Sequence, residues 1–488
     1  MAPNEQLAFD FHSTRGGQSG SPEGVILGER LARVQAGGGI EAGEATKGLW
    51  RPIHYLGSKL RLVDEICQVV DEADPSIGPV CDLFSGSGIV AMALSKRREV
   101  VAVDVQEYSR VLCSALLSPA NVDLAAVDEL VDAVLSGELV RMLQWAAEPM
   151  VHAEMEALRL AAQGKPEKLC DFLEGCSVIG HRLGGSARAN AWLLRALTET
   201  ASRMDKLDPA GNGPGILTRY YGGVYFSFSQ AVQIDGLLSF VRTMAPGERD
   251  TYLAALLSAA SEAVNTVGKQ FAQPIRPRGR DGRPKGNLVK KVSDDRSIDI
   301  VASYKKWLAR YGALPRGSLK SKALKADFKT ALATLDGHVS IVYADPPYTR
   351  DHYSRFYHVL ETMCLGDAPT IATMRLNGEL RATRGLYRSG RHQSPFCIKS
   401  KAAGAFGDLF GGVRSLGVPL VLSYSPYQAR SKDRPRVVTL DGLFSMASDF
   451  FNRVEIHTPA RLSHSKLGRS ESSAGKRKDA EVLFVCLP

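Results

Sequence analysis

The feature that most constrains the fold is a pair of apolar segments separated by a glycine-rich turn and a helical segment, within residues 79–104. The pattern predicts a strand at 79–84, a turn at 85–88, a helix at 89–96 and a second strand at 100–103. A strand, a tight turn, a helix and a strand in this order form a right-handed parallel unit. The sequence therefore predicts an α/β fold with a mostly parallel sheet.

The turn has a composition suited to ligand binding. It reads Asp82-Leu-Phe-Ser-Gly-Ser-Gly88, and Gly86 and Gly88 allow a tight turn and a close approach of a ligand to the backbone. The helix that follows offers unpaired N–H groups at its N-terminus. Asp104 stands 18 residues after Gly86 and ends the next strand, where a carboxylate can bind both ribose hydroxyls. Taken alone, the pattern fits NAD, FAD or S-adenosylmethionine, and also a purely structural turn.

A second motif, Asp345-Pro-Pro-Tyr348, follows a predicted strand at 339–344. Proline cannot continue the hydrogen-bond ladder of a sheet, so the two prolines make the chain leave the strand in a stiff, extended turn. Such a turn directs the Asp345 carboxylate and the Pro346 carbonyl outward, where together they can accept both hydrogens of an exocyclic amine. Tyr348 offers a flat face on which an extruded base can stack. The motif therefore indicates chemistry on the amino group of a base.

The charge distribution indicates a polyphosphate partner. The net charge is +9, but residues 269–329 alone hold 17 lysines and arginines against 5 aspartates and glutamates, so the rest of the chain is close to neutral. A concentrated basic segment of this kind is typical of nucleic-acid binding. A second basic segment, 375–401, and an aromatic cluster add to the predicted interface. The residues that we predict to contact DNA are Arg276, Arg278, Arg280, Arg283, Lys285, Lys290, Lys291, Arg384, Arg388, Arg391, Tyr220 and Tyr221.

Composition excludes several other classes of protein. No run of about 18 apolar residues occurs, the length that a membrane-spanning helix needs. The 8 cysteines are scattered without the spacing of a zinc site, so we expect reduced, buried thiols and no metal. We therefore expect a cytoplasmic, bacterial-type protein associated with the nucleoid and not with a membrane.

The α/β pattern is interrupted and then resumes, which divides the chain into four regions. Further strands are predicted at 419–424, 454–457 and 480–487, and a helix at 322–335. The four regions are a flexible leader (1–48), the cofactor-binding half of the α/β domain (49–120), a helical insertion with the target-recognition region (121–319) and the catalytic half (320–488).

The glycine-rich turn at 82–88 and the Asp345–Tyr348 motif, in this order, resemble the motifs of the Dam-like group of DNA adenine-N6 methyltransferases. In that group the cofactor motif comes first and the catalytic tetrapeptide follows. Three other segments are similar to that family. Tyr55-Leu-Gly-Ser-Lys59 resembles its opening Tyr-x-Gly-x-Lys, which lies against the methionine end of the cofactor. Asp327-Phe328 resembles the pair that binds the cofactor's adenine, and residues 468–484 are similar to the closing hairpin that borders the base pocket.

The resemblance implies the Rossmann-like fold of S-adenosylmethionine-dependent methyltransferases, with a C-terminal antiparallel hairpin and an inserted, largely helical target-recognition region. It also implies a site-specific enzyme that flips adenine out of double-stranded DNA and transfers a methyl group from S-adenosyl-L-methionine to N6, leaving S-adenosyl-L-homocysteine. The cofactor-binding residues that it implies are Tyr55, Gly57, Lys59, Asp82, Phe84, Ser85, Gly86, Gly88, Asp104, Asp327 and Phe328. The catalytic residues that it implies are Asp345, Pro346, Pro347 and Tyr348.

Several alternatives stay open at this point. The acceptor could be an RNA adenine or cytosine N4, although serine commonly replaces the aspartate of the tetrapeptide in the cytosine enzymes. A catalytically idle DNA-binding subunit could also retain the fold. We interpret His352 and His358 as structural residues or phosphate contacts, since this chemistry requires no imidazole, and Tyr353 and Tyr357 as pocket walls. As partners we expect double-stranded DNA and a cognate restriction or defence-system protein. The oligomeric state that we expect is a monomer or a weak dimer.

Overall fold

The computed structural model describes residues 48–184, 189–211, 213–316, 319–335, 337–350, 352–376, 379–425, 437–459 and 481–488. The predicted leader, residues 1–48, lies outside this part of the chain except for its last residue. Residues 468–480 of the C-terminal motif lie outside it as well.

The described residues form nine strands. They are β1 (Val80–Leu83), β2 (Val100–Asp104), β3 (Lys322–Lys325), β4 (Ile341–Ala344), β5 (Thr373–Leu376), β6 (Glu379–Ala382), β7 (Leu420–Tyr424), β8 (Arg453–His457) and β9 (Val482–Leu487).

Eighteen α-helices and two short 3₁₀ helices, Lys59–Arg61 and Pro395–Cys397, complete the described elements. The α-helices are α1 (Val63–Ala73), α2 (Ile89–Leu94), α3 (Glu107–Leu117), α4 (Leu124–Leu135), α5 (Glu138–Ala162), α6 (Glu167–Gly175), α7 (Val178–Arg182), α8 (Ala191–Leu207), α9 (Ile216–Tyr221), α10 (Phe228–Thr243), α11 (Pro246–Ala263), α12 (Leu288–Arg296), α13 (Ile300–Gly312), α14 (Phe328–Thr334), α15 (Tyr353–Phe356), α16 (His358–Leu365), α17 (Lys399–Leu416) and α18 (Leu440–Ser448).

The main sheet has seven strands in the order β3-β2-β1-β4-β7-β9-β8. The pairs from β3 to β7 are parallel, whereas β9 runs antiparallel to both of its neighbours, β7 and β8. The predicted α/β fold, with a mostly parallel sheet and a C-terminal antiparallel hairpin, is therefore confirmed. A separate two-stranded sheet joins β5 to β6.

The central strands are buried along their whole length because helices cover both faces of the sheet. Every residue of β1, β4 and β7 is buried, as expected for parallel strands between two helical layers. On one face the core contains Ile66 of α1 and Leu94 of α2, and on the other it contains Leu332 of α14 and Leu409 of α17.

One prediction about this sheet was wrong. The segment 322–335 was expected to be a single helix, but its first four residues form β3, the edge strand that pairs with β2. Four residues are too few for a periodic pattern to distinguish a strand from a helix. The helix begins only at Phe328, because the Asp327 side chain caps its N-terminus by accepting a hydrogen bond from the Lys329 N–H group at 2.9 Å.

The residues between α3 and β3 are mostly helical, from α4 to α13. Helices α10, α11 and α13 share one buried cluster with α3 and α16, and this cluster includes Leu112, Leu256, Leu308 and Leu360. The inserted region therefore packs directly against elements that flank the carboxyl edge of the sheet. The boundaries 121 and 319 stay a prediction.

Among the described residues, no helix is both long and apolar enough to span a membrane. That part of the chain also contains no group of three or more His, Cys, Asp or Glu side chains placed to hold a metal ion.

Candidate active site

The two motifs meet at the carboxyl edge of the sheet. β1 lies between β2 and β4, and all three strands are parallel, so the residues that follow them come together at one edge. A cavity opens there, and its walls enclose about 930 Å³ including the part open to solvent. Crevices outside the carboxyl ends of parallel strands are the usual ligand sites of open α/β sheets.

Nearly all of the predicted cofactor and catalytic residues line this cavity or a smaller one beside it. The larger cavity is bordered by Tyr55, Lys59, Phe84, Asp104, Asp327, Phe328, Asp345, Pro346, Pro347 and Tyr348. The smaller one is bordered by Tyr55, Gly57, Lys59, Asp82, Phe84, Ser85, Gly86 and Asp345. Gly88 lines neither cavity. A Cβ atom there would lie 2.8 Å from Leu116 Cδ1, so its role is the close packing of the turn on α3.

The glycine turn is strongly bent. Phe84, Gly86 and Gly88 have φ values of 63°, 55° and 77°, in the left-handed region. A Cβ atom on Gly86 would lie 2.6 Å from the Tyr55 hydroxyl oxygen. Glycine is thus required at this position both by the backbone conformation and by the tyrosine ring packed against it. The Ser109 hydroxyl donates a hydrogen bond of 2.6 Å to the Gly86 carbonyl and fixes the turn from α3.

Asp104 is anchored by backbone groups on both oxygens. The N–H groups of Gly86 and Gln106 donate to its Oδ2 and Oδ1 at 3.0 and 2.9 Å. Burial raises the pKa of Asp104, while these two hydrogen bonds oppose the shift. Each oxygen keeps a second lone pair, so the carboxylate can still accept from the hydroxyl groups of a ligand.

Three aromatic rings form the wall beside Asp104. Phe84 lies 5.8 Å from Phe328 and 5.3 Å from Phe396 between ring centroids, and the Phe84–Phe396 contact is edge to face. Asp327 borders the cavity next to Phe328. Apolar faces with one carboxylate beside them can hold a flat heterocycle that carries an amino group.

The sequence-based interpretation missed Phe396. This residue, with His392, Ser394 and Pro395, borders the larger cavity from a loop that follows β6. Ser354 holds the loop in place by donating a hydrogen bond of 2.5 Å to the His392 carbonyl. No spacing or motif in this segment indicates a ligand wall, because its position depends on tertiary packing alone.

Asp345 belongs to a buried group of three charges. The Nζ atom of Lys59 lies 2.9 Å from Asp345 Oδ1 and also contacts Oε1 of Glu481. The Lys59 side chain is 5% exposed and that of Asp345 is 22% exposed. Glu481 precedes β9 and accepts a hydrogen bond of 2.7 Å from the Ser423 hydroxyl on β7.

The protonation states of this group follow from burial and from the opposed charges. Burial raises the pKa of Asp345 to about 6, and Lys59 opposes the rise while Glu481 adds to it. Burial opposes the charged form of Lys59, but the carboxylates of Asp345 and Glu481 outweigh it and raise the pKa of Lys59. At neutral pH the ammonium group is therefore charged and the Asp345 carboxylate is largely ionised.

The smaller cavity contains buried polar atoms that have no hydrogen-bond partner among the described residues. They are Oδ2 of Asp82, Oγ of Ser58 and the Tyr343 hydroxyl. Burial, together with the charges of Asp345 and Asp104, raises the pKa of Asp82 well above its ordinary value. Hydrogen bonds from the Ala91 backbone and the Ser85 side chain oppose this rise. A buried carboxylate oxygen without a partner is costly, and a donor group of a ligand cation placed here would satisfy Oδ2.

Tyr348 borders the same cavity as Asp345. Its ring packs edge to face on Tyr424 at 5.5 Å, and the Lys59 Nζ atom lies 5.6 Å from its centroid. Tyr353 borders the same cavity, whereas Tyr357 is buried behind it and stacks on Tyr55 at 5.0 Å. Of the two tyrosines predicted as pocket walls, Tyr353 lies at the wall and Tyr357 supports it from behind.

The predicted DNA contacts of the first basic segment fall into two groups. Arg276, Arg280, Arg283 and Lys285 are exposed, and no acidic side chain in the described part of the chain pairs with them. The other three are paired within the protein. Arg278 contacts Asp171 at 2.6 Å, Lys290 contacts Asp294 at 3.0 Å and Lys291 contacts Asp295 at 3.1 Å.

The arginines of the second basic segment also have partners within the protein. Both terminal nitrogens of Arg388 contact the Asp367 carboxylate at 2.6 Å. Arg384 donates to the Ile275 carbonyl at 2.5 Å, and Arg391 donates to the Arg388 carbonyl at 2.5 Å. These bonds hold the loop after β6 in place, and a role of the three residues in DNA binding stays a prediction.

The prediction that Tyr220 and Tyr221 contact DNA requires correction. The Tyr221 side chain is fully buried, and its hydroxyl lies 3.1 Å from that of Thr362, while Tyr220 is only 8% exposed. The aromatic segment was interpreted as a possible stacking surface, but its rings fill the core between α9, α10 and α16. His358 is also in this core, where its Nε2 atom lies 3.0 Å from the Phe271 carbonyl oxygen, in agreement with a structural role.

Comparison with known proteins agrees with the resemblance noted in the sequence. Residues 55–143 match the model of the D12 class N6 adenine-specific DNA methyltransferases. The chain is 32% identical over 146 residues to the modification methylase LlaI of Lactococcus lactis subsp. lactis, which covers 30% of this chain and 20% of that protein. It is 33% identical over 90 residues to the type II methyltransferase M.CviAII of Paramecium bursaria Chlorella virus 1, which covers 18% of this chain and 28% of that protein.

The aligned parts therefore span less than a third of either curated relative. No solved structure matches the chain significantly.

Proposed function

We propose that this chain, whose residues 55–143 match the model of the D12 class N6 adenine-specific DNA methyltransferases, transfers a methyl group from S-adenosylmethionine to N6 of adenine in DNA. The observation that supports the proposal most strongly is that the two motifs border the same cavities. Asp345, which can bind an amino group, borders the same cavities as the glycine turn and Asp104, which suit a nucleoside cofactor. The two reactants would thus be held side by side.

The residues present fit S-adenosylmethionine at both of its ends. Asp104 would accept from the ribose hydroxyls, and the rings of Phe84, Phe328 and Phe396 would enclose the adenine. Asp82, whose Oδ2 atom is buried without a partner among the described residues, would accept from the α-ammonium group. When bound, the cofactor supplies a methyl group on a positively charged sulfur.

The target adenine would be held at the edge of the same cavity. An adenine in a duplex has a paired edge, so it must be flipped out, which costs a few kcal/mol. The Asp345 carboxylate and the Pro346 carbonyl would accept the two N6 hydrogens, and Tyr348 would stack on the base. Both acceptors would draw N6 toward a tetrahedral geometry, in which its lone pair is free to attack the methyl group.

The protein's contribution to the reaction would be positioning and electrostatic stabilisation. Transfer of the methyl group to N6, with S-adenosylhomocysteine as the leaving group that keeps the electrons of the broken methyl–sulfur bond, would place a positive charge on the nitrogen. The ionised Asp345 carboxylate, hydrogen-bonded to that nitrogen, stabilises the charge and can receive the proton that leaves it. Lys59 keeps Asp345 ionised at neutral pH by its contact of 2.9 Å.

Four exposed cations are the best candidates for holding the DNA backbone. Arg276, Arg280, Arg283 and Lys285 lie on one loop, closed by a hydrogen bond of 2.9 Å from the Lys285 N–H group to the Pro277 carbonyl. Since their charges are not neutralised by acidic side chains in the described residues, they can release phosphate counterions on binding. We further expect the protein to act in the cytoplasm, in restriction-modification, phage defence or epigenetic marking.

The test is expression of the chain in a bacterial host that lacks adenine methylation, followed by sequencing of the host DNA for modified bases. The proposal predicts N6-methyladenine at one short sequence motif, and none with Asp345→Ala. N4-methylcytosine at a motif, or N6-methyladenine in RNA alone, would contradict it. DNA without modification, from cells with soluble protein, would also contradict it.

A further inference from the structure

We propose that Glu481 is a positioning residue of the methyl-transfer site, which holds Lys59 between two carboxylates so that Asp345 keeps an oxygen available for the amino group of the base. The proposal rests on the function proposed above. Glu481 directly precedes β9. It lies within residues 468–484, which resemble the closing hairpin described above, and that resemblance gives Glu481 no role of its own.

The geometry supports a shared ammonium group. Lys59 contacts Asp345 at 2.9 Å on one side and Glu481 on the other, and its side chain is only 5% exposed. A lysine buried with a single carboxylate would direct its donors to that carboxylate alone. With two carboxylates within reach, its three donors are divided between them.

Glu481 is itself held in place. The Ser423 hydroxyl, fully buried on β7, donates a hydrogen bond of 2.7 Å to the same oxygen that contacts Lys59. β7 lies between β4, which ends at Asp345, and β9, which follows Glu481. Neighbouring strands therefore bring Asp345, Ser423 and Glu481 to one place, and the 3₁₀ helix that begins with Lys59 covers them.

The charges around Asp345 determine its pKa, which can be measured. The charged groups that face it are Lys59 from the 3₁₀ helix, Glu481 from the start of β9 and Asp82 from β1. Tyr343 and Tyr353 also face it, and burial keeps their hydroxyls neutral by raising their pKa. A neighbouring carboxylate disfavours the ionised form of Asp345, and a neighbouring ammonium favours it.

Removal of the two charged neighbours should thus act on Asp345 in opposite directions. Glu481→Gln removes a negative charge and leaves Asp345 as the carboxylate that pairs with Lys59. The pKa of Asp345 should therefore fall. Lys59→Met removes the positive charge, so the same pKa rises. A purely structural role of Glu481 would lower stability and activity at every pH without this pair of opposite shifts.

The experiment measures transfer of labelled methyl groups from S-adenosylmethionine to unmethylated bacterial DNA between pH 5 and 9. The expected result is a shift of the acid limb of the rate profile by about one pH unit, downward for Glu481→Gln and upward for Lys59→Met. Ser423→Ala should give a smaller downward shift. Glu455→Gln on β8, a carboxylate paired with Arg453 away from the site, is the matched control and should leave the profile unchanged.

An acid limb that does not move in Glu481→Gln, or moves upward, would overturn the proposal. If Glu481→Gln does not fold, Ser423→Ala decides by the same criterion. Absence of transfer to DNA by the wild-type protein at any pH would refute the proposed function itself, and this outcome is distinct from an unmoved limb in an active variant.

Discussion

The Nζ atom of Lys59 lies 2.9 Å from Oδ1 of Asp345, and so the Tyr55–Lys59 motif and the Asp345–Tyr348 motif, from distant parts of the chain, form one ion pair. The pair lies at the floor of two cavities that contact the glycine turn. In the proposed function, this ion pair would link the cofactor side of the site to the base side. It is also the reason why we expect charge, rather than shape alone, to govern the rate.

Replacement of Asp345 by alanine should abolish methyl transfer and spare cofactor binding. In the proposed mechanism the carboxylate acts on the amine and not on the cofactor. Loss of one such electrostatic contact costs about 10²–10³-fold in rate, and Asp345→Ala also removes the proton acceptor, so the total loss should exceed that range. The dissociation constant for S-adenosylmethionine, measured by calorimetry, should change by less than about threefold. Asp408→Ala, at a surface carboxylate paired with Lys329, is the control. Transfer at the wild-type rate by Asp345→Ala would refute the assignment.

The rate of transfer should fall as the pH drops through about 6. Burial raises the pKa of Asp345 to about 6, and only the ionised carboxylate can stabilise the positive charge that develops on N6 and receive its proton. The measurement is the rate at saturating cofactor between pH 5 and 8. A rate that stays constant down to pH 5 would show that the ionised form of Asp345 is not required.

Gly86→Ala should weaken cofactor binding far more than the strain of its left-handed backbone alone would. An added Cβ atom would lie 2.6 Å from the Tyr55 hydroxyl and would displace the ring that borders both cavities. Gly164→Ala is a matched control, because Gly164 also has a positive φ, 82°, but nothing lies within 4 Å of the added atom. Both variants carry a left-handed strain of about 1–2 kcal/mol. Equal cofactor affinity in the two variants would contradict the placement of the turn.

Phe396→Ala should reduce affinity for the cofactor. The ring is one of three that would enclose the adenine, and stacking of a base on an aromatic side chain contributes about 1–3 kcal/mol. Thermal shift with S-adenosylmethionine should shrink accordingly. Phe444→Ala removes a ring that is 39% exposed and lies outside both cavities, and it should keep the full shift. Unchanged affinity in Phe396→Ala would remove this ring from the site.

The stability of the protein should depend on His358 below pH 6.5. Burial lowers the pKa of His358 from 6.5 to about 3, so between these values the unfolded chain binds one proton more at this residue. The free energy of unfolding therefore falls as the pH drops through this window, by up to about 1.4 kcal/mol per unit. His358→Gln keeps a donor for the Phe271 carbonyl and should remove this slope. Because buried carboxylates such as Asp235 contribute with the opposite sign, the test is the difference between the two proteins.

The sequence predicts the parts of the site that lie within continuous motifs. Asp82 and Gly86 lie on a strand and a turn, and a proline turn follows β4. These turns depend on local backbone preferences, which glycine and proline make visible in the sequence. The parallel pairing of β1 with β2 and β4 then follows from the α/β pattern. These features were confirmed in the fold.

The features that the sequence did not predict depend on tertiary packing. Phe396 reaches the cavity because the loop after β6 is held by Ser354, and no local signal encodes that contact. Tyr221 looks like a surface aromatic in a segment with two glycines, but the helices around it bury its ring. Lys322–Lys325 became a strand because the edge of β2 was available for pairing.

The most direct test of the central claim is mass spectrometry of nucleosides after incubation of the purified protein with unmethylated duplex DNA and S-adenosylmethionine. We expect N6-methyldeoxyadenosine with the wild-type protein and none with Asp345→Ala, although both bind the cofactor. Appearance of N4-methylcytosine instead, or equal yields of N6-methyladenine from both proteins, would contradict it.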